Sequence, residues 1–453
     1  MSQRQIRLGF SVTANGTHKG GWRREDSWNA GGLDIKQWRN VTDAAERACA
    51  HFLFWADGAA VRTEAPDVEA LSFSGRIEML EPLTLMSALS QHAEKIGFVA
   101  TASTTFNEPY NIARKFASLD YISGGRVGWN VVTSWSVPEA RNFGLDQHLE
   151  HAERYRRAEE FFDVVTGLWD SWDDDAFLRD KQSGRYFEPS KMHLLAHKGK
   201  YYSVRGPLNV PRPLQGHPVI AQAGSSEPGQ ELAARTADLV YTAQQRVEDA
   251  RSFYKSLKGR MPKYGRSPDS LVIMPGIMPI MGRTDQEAQD NYGAMQELLH
   301  PIAGLNSIAQ VFGDLSKLPL DEPLPAWIDD ETNAAKSVKT IWLERARREN
   351  LTIRQLYQAF SVGAAHKVVV GSPKTIVDTM EEWFTTGACD GWNVMSAYMP
   401  GGVIEFCDLV APELQRRGLH RTAYQGTTLR ENLGLSRPQN RYDRAAGEMH
   451  AAK

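Results

Sequence analysis

The sequence predicts an α/β fold, a TIM (β/α)8 barrel with several insertions around the barrel mouth. Short apolar runs alternate with amphipathic stretches of helical period, and this alternation recurs eight times along the 453 residues. Parallel strands need crossover helices that cover the sheet, so eight such units favour a closed barrel. The alternative is a doubly wound sheet. No two glycines stand two residues apart in this chain, so the GxGxxG dinucleotide motif of that fold is missing.

The barrel elements follow from these two patterns, taken in chain order. The apolar runs predict strands at 6–12, 52–56, 97–101, 127–132, 218–221, 238–241, 271–280 and 392–396. Helical patterns lie between them, for example at 35–50, 82–95, 109–119, 150–168 and 374–384.

Three segments are too long for ordinary loops and too irregular for barrel elements: 58–80, 171–217 and 299–350. We expect them to be insertions that shape or cover the barrel mouth. The middle one contains "HKGKYYSVRGPLNVPRP", which is typical of a hairpin followed by a proline-rich return. Residues 1–435 are therefore predicted to form one domain, and the polar tail 436–453 a surface arm.

Composition excludes several classes of function. Lysine plus arginine number 52 against 55 acidic residues, a net charge of −3, so neither nucleic acid nor a membrane surface is an expected partner. Three cysteines, Cys49, Cys389 and Cys407, provide neither a disulfide framework nor a CxxC metal site. No apolar run approaches the length of a membrane span, and the N-terminus passes directly into a strand pattern. We therefore expect a cytoplasmic enzyme.

Polar side chains gather at the carboxyl ends of four predicted strands. The stretch "GGRVGWNVVTSW" is a turn, then a buried strand that carries Asn130, then hydroxyl groups. Asp57 follows "HFLFWA", Thr104 follows "IGFVATAS", and Ser225 and Ser226 follow "PVIAQAG". Each group alone might only satisfy a loop backbone, but together they outline the catalytic face of a barrel.

Two neighbouring helices add chemistry to this face. In "AGSSEPGQELAARTA" a helix begins just after Ser226, and the N–H groups of its first turn favour a phosphate. Ser226 is equally suited to cap that helix. In "HLEHAERYRRAEEFF", His151 and Tyr155 share a helical face, and Glu150 and Arg154 are predicted to pair on a neighbouring one. The histidines there do not follow the HExxH spacing, so no metal site is expected.

Five blocks of this sequence together resemble a known protein family. "FLFWAD", "STTFNEPYNIARKFASLDYISGGRVGWNVVTS", "EARNFGLDQHLEHAERYRRAEEFF", "GKYYSVRGPLNVPRPLQGHPVIAQAGSS" and "VAPELQRRGLHRTAYQGTTLREN" closely resemble the nitrilotriacetate monooxygenase component A and dibenzothiophene sulfone monooxygenase group. That group belongs to the bacterial luciferase-like flavin monooxygenases, and the resemblance spans about residues 5 to 435.

The resemblance implies a TIM barrel that uses FMN as a reduced cosubstrate, FMNH2, together with O2. A separate NAD(P)H:flavin reductase would supply the FMNH2, and the chain would form a homodimer or homotetramer. Matching positions imply the following cofactor contacts: Asp57 and Thr104 beside the flavin ring, Asn130 as a further polar contact, His151 and Tyr155 on the ribityl-phosphate side, Ser225 and Ser226 at the phosphate. His18 is our candidate for an acid–base or substrate contact.

Two alternatives remain at this stage: a deazaflavin (F420)-dependent oxidoreductase of the same superfamily, and a non-catalytic flavin-binding barrel. For the leading interpretation, the insertion 58–80 mixes arginines with acidic residues and does not form a cationic receptor. We therefore expect a small neutral substrate, organosulfur, heteroaromatic or otherwise xenobiotic-like, in preference to an aminopolycarboxylate.

Overall fold

The computed structural model describes residues 4–28, 30–61, 68–75, 77–328, 336–363 and 366–443. Its strands are β1 Arg7–Val12, β2 Phe52–Trp55, β3 Gly97–Ser103, β4 Val127–Val132, β5 His197–Lys198, β6 Ser203–Val204, β7 Val219–Ala223, β8 Leu239–Thr242, β9 Val272–Met281, β10 Lys367–Gly371 and β11 Gly391–Met395.

The helices fall between and after these strands. They are α1 Ile35–Arg47, α2 Val68–Ser72, α3 Pro82–Ser90, α4 Pro109–Ser123, α5 Val137–Asn142, α6 His151–Trp169, α7 Glu227–Thr236, α8 Val247–Arg260, α9 Asp285–Glu297, α10 Pro301–Phe312, α11 Lys336–Arg348, α12 Ile353–Gly363, α13 Pro373–Thr385, α14 Gly401–Glu405, α15 Ala411–Arg416 and α16 Leu429–Leu433. None of those in the described part of the chain combines the length and the apolar character that a bilayer span requires.

Eight parallel strands close into a barrel, in the order β11, β1, β2, β3, β4, β7, β8, β9, with β9 returning to β11. Each of the eight coincides with a strand predicted from an apolar run, so the TIM-barrel prediction is confirmed. β10 was not predicted. It lies outside the barrel and pairs with the second half of β9, from Ile277 to Met281.

The barrel interior is an apolar core, because alternate residues of every strand point inward. Phe52 and Phe54 of β2 meet Val99, Val219 and the leucines of the short helix α16 in one buried cluster. α16 carries a capping box between Thr428 and Glu431. Its leucines fill the end of the barrel opposite the strand carboxyl ends, which leaves that carboxyl face as the place for a site.

The segments expected as insertions differ in structure. Residues 58–80 are described only in part, with Arg62 and Arg76 outside the described residues, and they include α2. Segment 171–217 contains the predicted hairpin, β5 paired with β6 in antiparallel register. Segment 299–350 contributes α10 and α11, which pack with α12 around their own apolar cluster. The start of the tail is packed, since Asn440 is buried and donates to the carbonyl of Trp172.

Candidate functional site

A cavity of about 330 Å³ lies at the carboxyl ends of β2, β4 and β7. Helices α6 and α7 close its sides. The residues that line it include Asp57, Gly58, Thr133, Ser134, Trp135, Glu139, His151, Arg154, Tyr155, Gln222, Ala223, Gly224 and Gly229. The structure therefore brings three of the predicted site residues, Asp57, His151 and Tyr155, to one cavity.

Asp57 stands half-buried at the end of β2. Burial, together with the nearby charges of Glu81 and Glu139, raises the pKa of its carboxyl group from 3.8 to about 6. Glu139 is itself held in place, because its Oε1 accepts from the backbone N–H of Ala59 at 3.0 Å. The cavity thus has an acidic end whose charge depends on pH near neutrality.

The polar end of β4 forms a second wall. Ser134 takes a left-handed backbone conformation, with φ of 53°, and its hydroxyl donates to Ser103 Oγ at 2.9 Å. A non-glycine residue in this region is uncommon and marks a backbone held by its surroundings. The bend turns the carbonyl of Ser134 toward α6, where Arg154 reaches it.

Asn130 and Thr104 lie beside this wall, outside the set of residues that line the cavity. Asn130 Nδ2 donates to Thr101 Oγ1 at 2.7 Å, across the β3–β4 ladder. Its Oδ1 is buried and has no hydrogen-bond partner among the described residues. Thr104 Oγ1 donates to the carbonyl of Val132 at 3.2 Å. Both side chains are buried within the barrel mouth.

Helix α6 presents His151, Arg154 and Tyr155 to the cavity. The rings of His151 and Tyr155 are 4.9 Å apart, as expected for residues four apart on a helix. The predicted pair between Glu150 and Arg154 is wrong. Arg154 Nη1 donates instead to the carbonyl of Ser134, and its Nε is buried with no partner among the described residues. Burial lowers the pKa of this guanidinium, and no carboxylate in the described part of the chain offsets that cost.

The start of α7 lies against Tyr155. Ser226 is the N-cap, and its Oγ accepts from the backbone N–H of Gly229 at 3.3 Å, so the capping alternative is confirmed. Of the two glycines of this turn, Gly229 has the less room, because a Cβ atom there would lie 3.1 Å from Ser226 Oγ, whereas one on Gly224 would make only ordinary contacts. A Cβ atom on Gly229 would lie 3.4 Å from Tyr155 Oη, and one on Gly224 would lie 3.9 Å from the same atom. Neither Ser225 nor Ser226 lines the cavity, which the flanking glycines reach instead.

This arrangement fits a ligand with an anionic end. The orphaned Arg154 Nε, the positive end of the α7 dipole and the Tyr155 hydroxyl meet at one side of the cavity. Asp57, which follows β2, also lines the cavity. The sequence did not indicate Arg154 or Gly229 as site residues. Arg154 could have been predicted because it lies between two predicted site residues, His151 and Tyr155, on the same helix. It was instead assigned to an ion pair with Glu150, four residues away.

His18 lies apart from the cavity, buried between β1 and the end of β11. Its Nδ1 accepts from the backbone N–H of Gly20 at 3.2 Å, and its Nε2 has no partner among the described residues. Burial lowers the pKa of this imidazole to about 4, so it is neutral at pH 7.

Within the described ranges, no group of three or more His, Cys, Asp or Glu side chains is placed to hold a metal ion.

Known proteins of one family match nearly the whole chain. A family model described as Luciferase-like monooxygenase matches residues 10–389. Nitrilotriacetate monooxygenase component A from Aminobacter aminovorans is 47% identical over 446 residues, which cover 97% of this chain and 98% of that protein.

Two solved structures share the fold along nearly the whole chain. The crystal structure of DmoA from Hyphomicrobium sulfonivorans superposes with a TM-score of 0.86 at 34% identity, covering 95% of this chain and 92% of that one. Riboflavin lyase (RcaE), solved with modified FMN and riboflavin, gives a TM-score of 0.82 at 29% identity, covering 96% and 97%.

Proposed function

The chain belongs to the luciferase-like monooxygenase family, and on that premise we propose that it is the oxygenating component of a two-component, FMN-dependent system. It takes FMNH2 made by a separate NAD(P)H:flavin reductase and uses O2 to oxygenate a small organic substrate. The observation that carries the proposal is the cavity in which Arg154, Tyr155 and the start of α7 converge.

The residues present fit FMN, with one end of the cavity suited to the phosphate and the other to the flavin ring. Arg154, Tyr155, Ser225, Ser226 and the first-turn N–H groups of α7 would hold the phosphate. His151, one turn before Tyr155, would contact the ribityl chain. Asp57, Thr104 and Asn130 would lie at the flavin ring, where the orphaned Oδ1 of Asn130 supplies an unused acceptor.

Bound FMN supplies the activation of O2 and its transfer to the substrate. The work of the chain is to hold the flavin, exclude water and control protons. Asp57 is the group suited to the last task, because a carboxyl group with a pKa of about 6 exchanges its proton near neutral pH. We retain His18 as a candidate acid–base or substrate contact, because its Nε2 is buried and unpartnered within the described chain.

The phosphate end is tested by Ser226→Asp. The substitution puts a carboxylate at the start of α7, next to the glycine that lines the proposed phosphate end, and repulsion of about 2 kcal/mol corresponds to a roughly thirtyfold loss of FMN affinity. The fold should survive, since Asp is also a good N-cap. The affinity for riboflavin, which lacks the phosphate, should fall much less. Both affinities are measured by fluorescence quenching under anaerobic, reducing conditions.

The matched control is Ser267→Asp, which adds the same charge at another N-cap position, ahead of β9. We expect it to leave both affinities unchanged. Equal losses for FMN and riboflavin in Ser226→Asp, or no loss for FMN, would show that the phosphate binds elsewhere.

A further inference from the structure

A second cavity, of about 340 Å³, includes in its lining Gln245, which follows the carboxyl end of β8. It lies between α11, α12 and β10, and it shares no lining residue with the first cavity. Its wall includes Gln245, Trp342, Arg345, Val362, His366 and Lys367. Neither the residues assigned to FMN nor His18 belongs to it.

One contact places the second cavity next to the first. His366 lines the second cavity, and its Nε2 lies 3.1 Å from Tyr241 Oη at the end of β8. Tyr241 pairs in the sheet with Ala223, which lines the first cavity. The second cavity is therefore linked through His366 and Tyr241 to the strand end that borders the first cavity.

The backbone leaves space for His366 at this point. A Cβ atom on Gly276 of β9 would lie 2.4 Å from His366 Nδ1, closer than any real contact allows. The ring also stacks on Tyr241, with the centroids 5.2 Å apart. The barrel strand thus accommodates the imidazole, which forms a fixed polar end of the second cavity.

The charges of the lining are all positive. Lys367 and Arg345 line the cavity, and none of its described lining residues is an aspartate or glutamate. Arg345 is partly neutralised, because its Nε lies 3.0 Å from Glu349 Oε2. No described residue forms an ion pair with Lys367. Apart from these two cations, Gln245 and His366, the wall is aromatic or aliphatic, including Trp342, Val362 and Val368.

We propose that this second cavity binds the organic substrate and that Lys367 selects one bearing a carboxylate. The apolar wall would pack on the hydrocarbon part, and His366 and Tyr241 would face the end nearest the flavin. The inference rests on the proposed function, and it replaces the neutral substrate class expected from segment 58–80. That segment supplies no described residue to this cavity's lining.

The test is equilibrium binding, which needs no turnover. Thiodiacetate and nitrilotriacetate serve as anionic probes, and dimethyl thiodiacetate as the neutral match. Isothermal titration calorimetry on the full chain should show tenfold or greater weakening of the anionic probes in Lys367→Met. The dimethyl ester should bind the wild type more weakly than thiodiacetate and should not respond to the substitution.

Two further variants make the test specific. Lys367→Arg should keep most of the affinity, because it keeps the charge. Lys374→Met removes an exposed lysine paired with Asp378 on α13 and should change nothing. The proposal is overturned if neither anionic probe binds, if Lys367→Met weakens them less than twofold, or if the ester binds as well as the diacid.

FMN affinity, measured on the same samples, separates this inference from the proposed function. It should be unchanged in Lys367→Met, which also shows that the variant is folded. If the Ser226→Asp test fails while the probes respond to Lys367→Met, the flavin assignment is wrong and the anion cavity stands. If Ser226→Asp weakens FMN binding as expected but the probes do not respond to Lys367→Met, the flavin assignment stands and the proposed substrate site is wrong.

Discussion

Arg154 lies between His151 and Tyr155 on α6, with its Nε buried and unpartnered within the described chain. A half-buried guanidinium with no carboxylate partner among the described residues carries a desolvation cost that an anionic ligand would offset. The proposed FMN phosphate supplies that charge, so Arg154 should contribute to affinity for FMN and very little to affinity for riboflavin.

Replacing Arg154 with Met tests this role. A charge-assisted hydrogen bond to phosphate contributes about 1.5 to 3 kcal/mol, so we expect FMN affinity to fall at least tenfold. Fluorescence titration with FMN and riboflavin measures the difference. Arg156→Met is the control, since Arg156 is exposed on the same helix and paired with Glu153. A similar loss in both variants, or for both flavins, would contradict the assignment.

Asp57 predicts a pH dependence of stability in the flavin-free chain. Its folded-state pKa of about 6 lies above the ordinary value of 3.8, so between these values the folded chain binds more protons than the unfolded chain. The free energy of unfolding therefore falls as pH rises through that window. Asp57→Asn removes this term. As pH rises from 4 to 7, the free energy of unfolding of the variant should therefore increase relative to that of wild type by about 2 to 3 kcal/mol.

Urea unfolding at several pH values measures this difference. Identical slopes for wild type and Asp57→Asn between pH 4 and pH 7 would show that the Asp57 carboxyl group is not desolvated as the structure implies.

The sequence predicted most of these residues, but it could not predict their partners. Asp57, His151 and Tyr155 line one cavity, and Ser226 caps α7, as their positions after strands and on helices indicated. Arg154 was assigned to Glu150 because four-residue spacing permits that pair. Its actual partner, the carbonyl of Ser134, depends on the left-handed turn after β4, which no local pattern displays.

At the scale of elements, all eight barrel strands were predictable, because each is a short apolar run bounded by turns. β10 is also such a run, "KVVVG", yet it pairs outside the barrel. That position depends on the length of β9, whose ten residues extend far enough to pair with a further strand. The sequence alone could not distinguish a ninth strand of this kind from a loop.

Helix α16 closes the far end of the barrel, so we expect the loss of one of its buried side chains to lower stability without changing flavin binding. Leu433 is fully buried within the interior cluster. Leu433→Ala should lower the free energy of unfolding by about 2 to 5 kcal/mol, because it leaves a cavity in a packed core. Urea denaturation measures this, and FMN affinity should be unchanged. Leu178→Ala, at an exposed leucine, is the control and should cost less than about 0.5 kcal/mol.

A result in which Leu433→Ala weakens FMN binding while stability is retained would contradict the separation between the plugged end and the site. The predicted separation follows from the parallel sheet, since all eight carboxyl ends face away from α16.

At the scale of the whole molecule, two cavities border the carboxyl ends of barrel strands, the first at β2, β4 and β7 and the second at Gln245, just after β8. The first combines a half-buried carboxyl group with an unpaired arginine and a helix N-terminus, and the second has cations in an apolar wall. Composition did not reveal this division, because the net charge of −3 averages over the surface. Helix α11, from segment 299–350, supplies Trp342 and Arg345 to the second cavity, in keeping with our proposal that this insertion shapes the barrel mouth.

The central claim is that this chain receives its electrons as FMNH2 made elsewhere. The measurement that tests it most directly is NADH consumption in air by the pure chain supplied with FMN, followed by absorbance before and after a separate NADH:flavin reductase is added. We predict no consumption above the protein-free rate before the addition, and immediate consumption after it. Sustained oxidation of NADH by the chain alone would contradict the account.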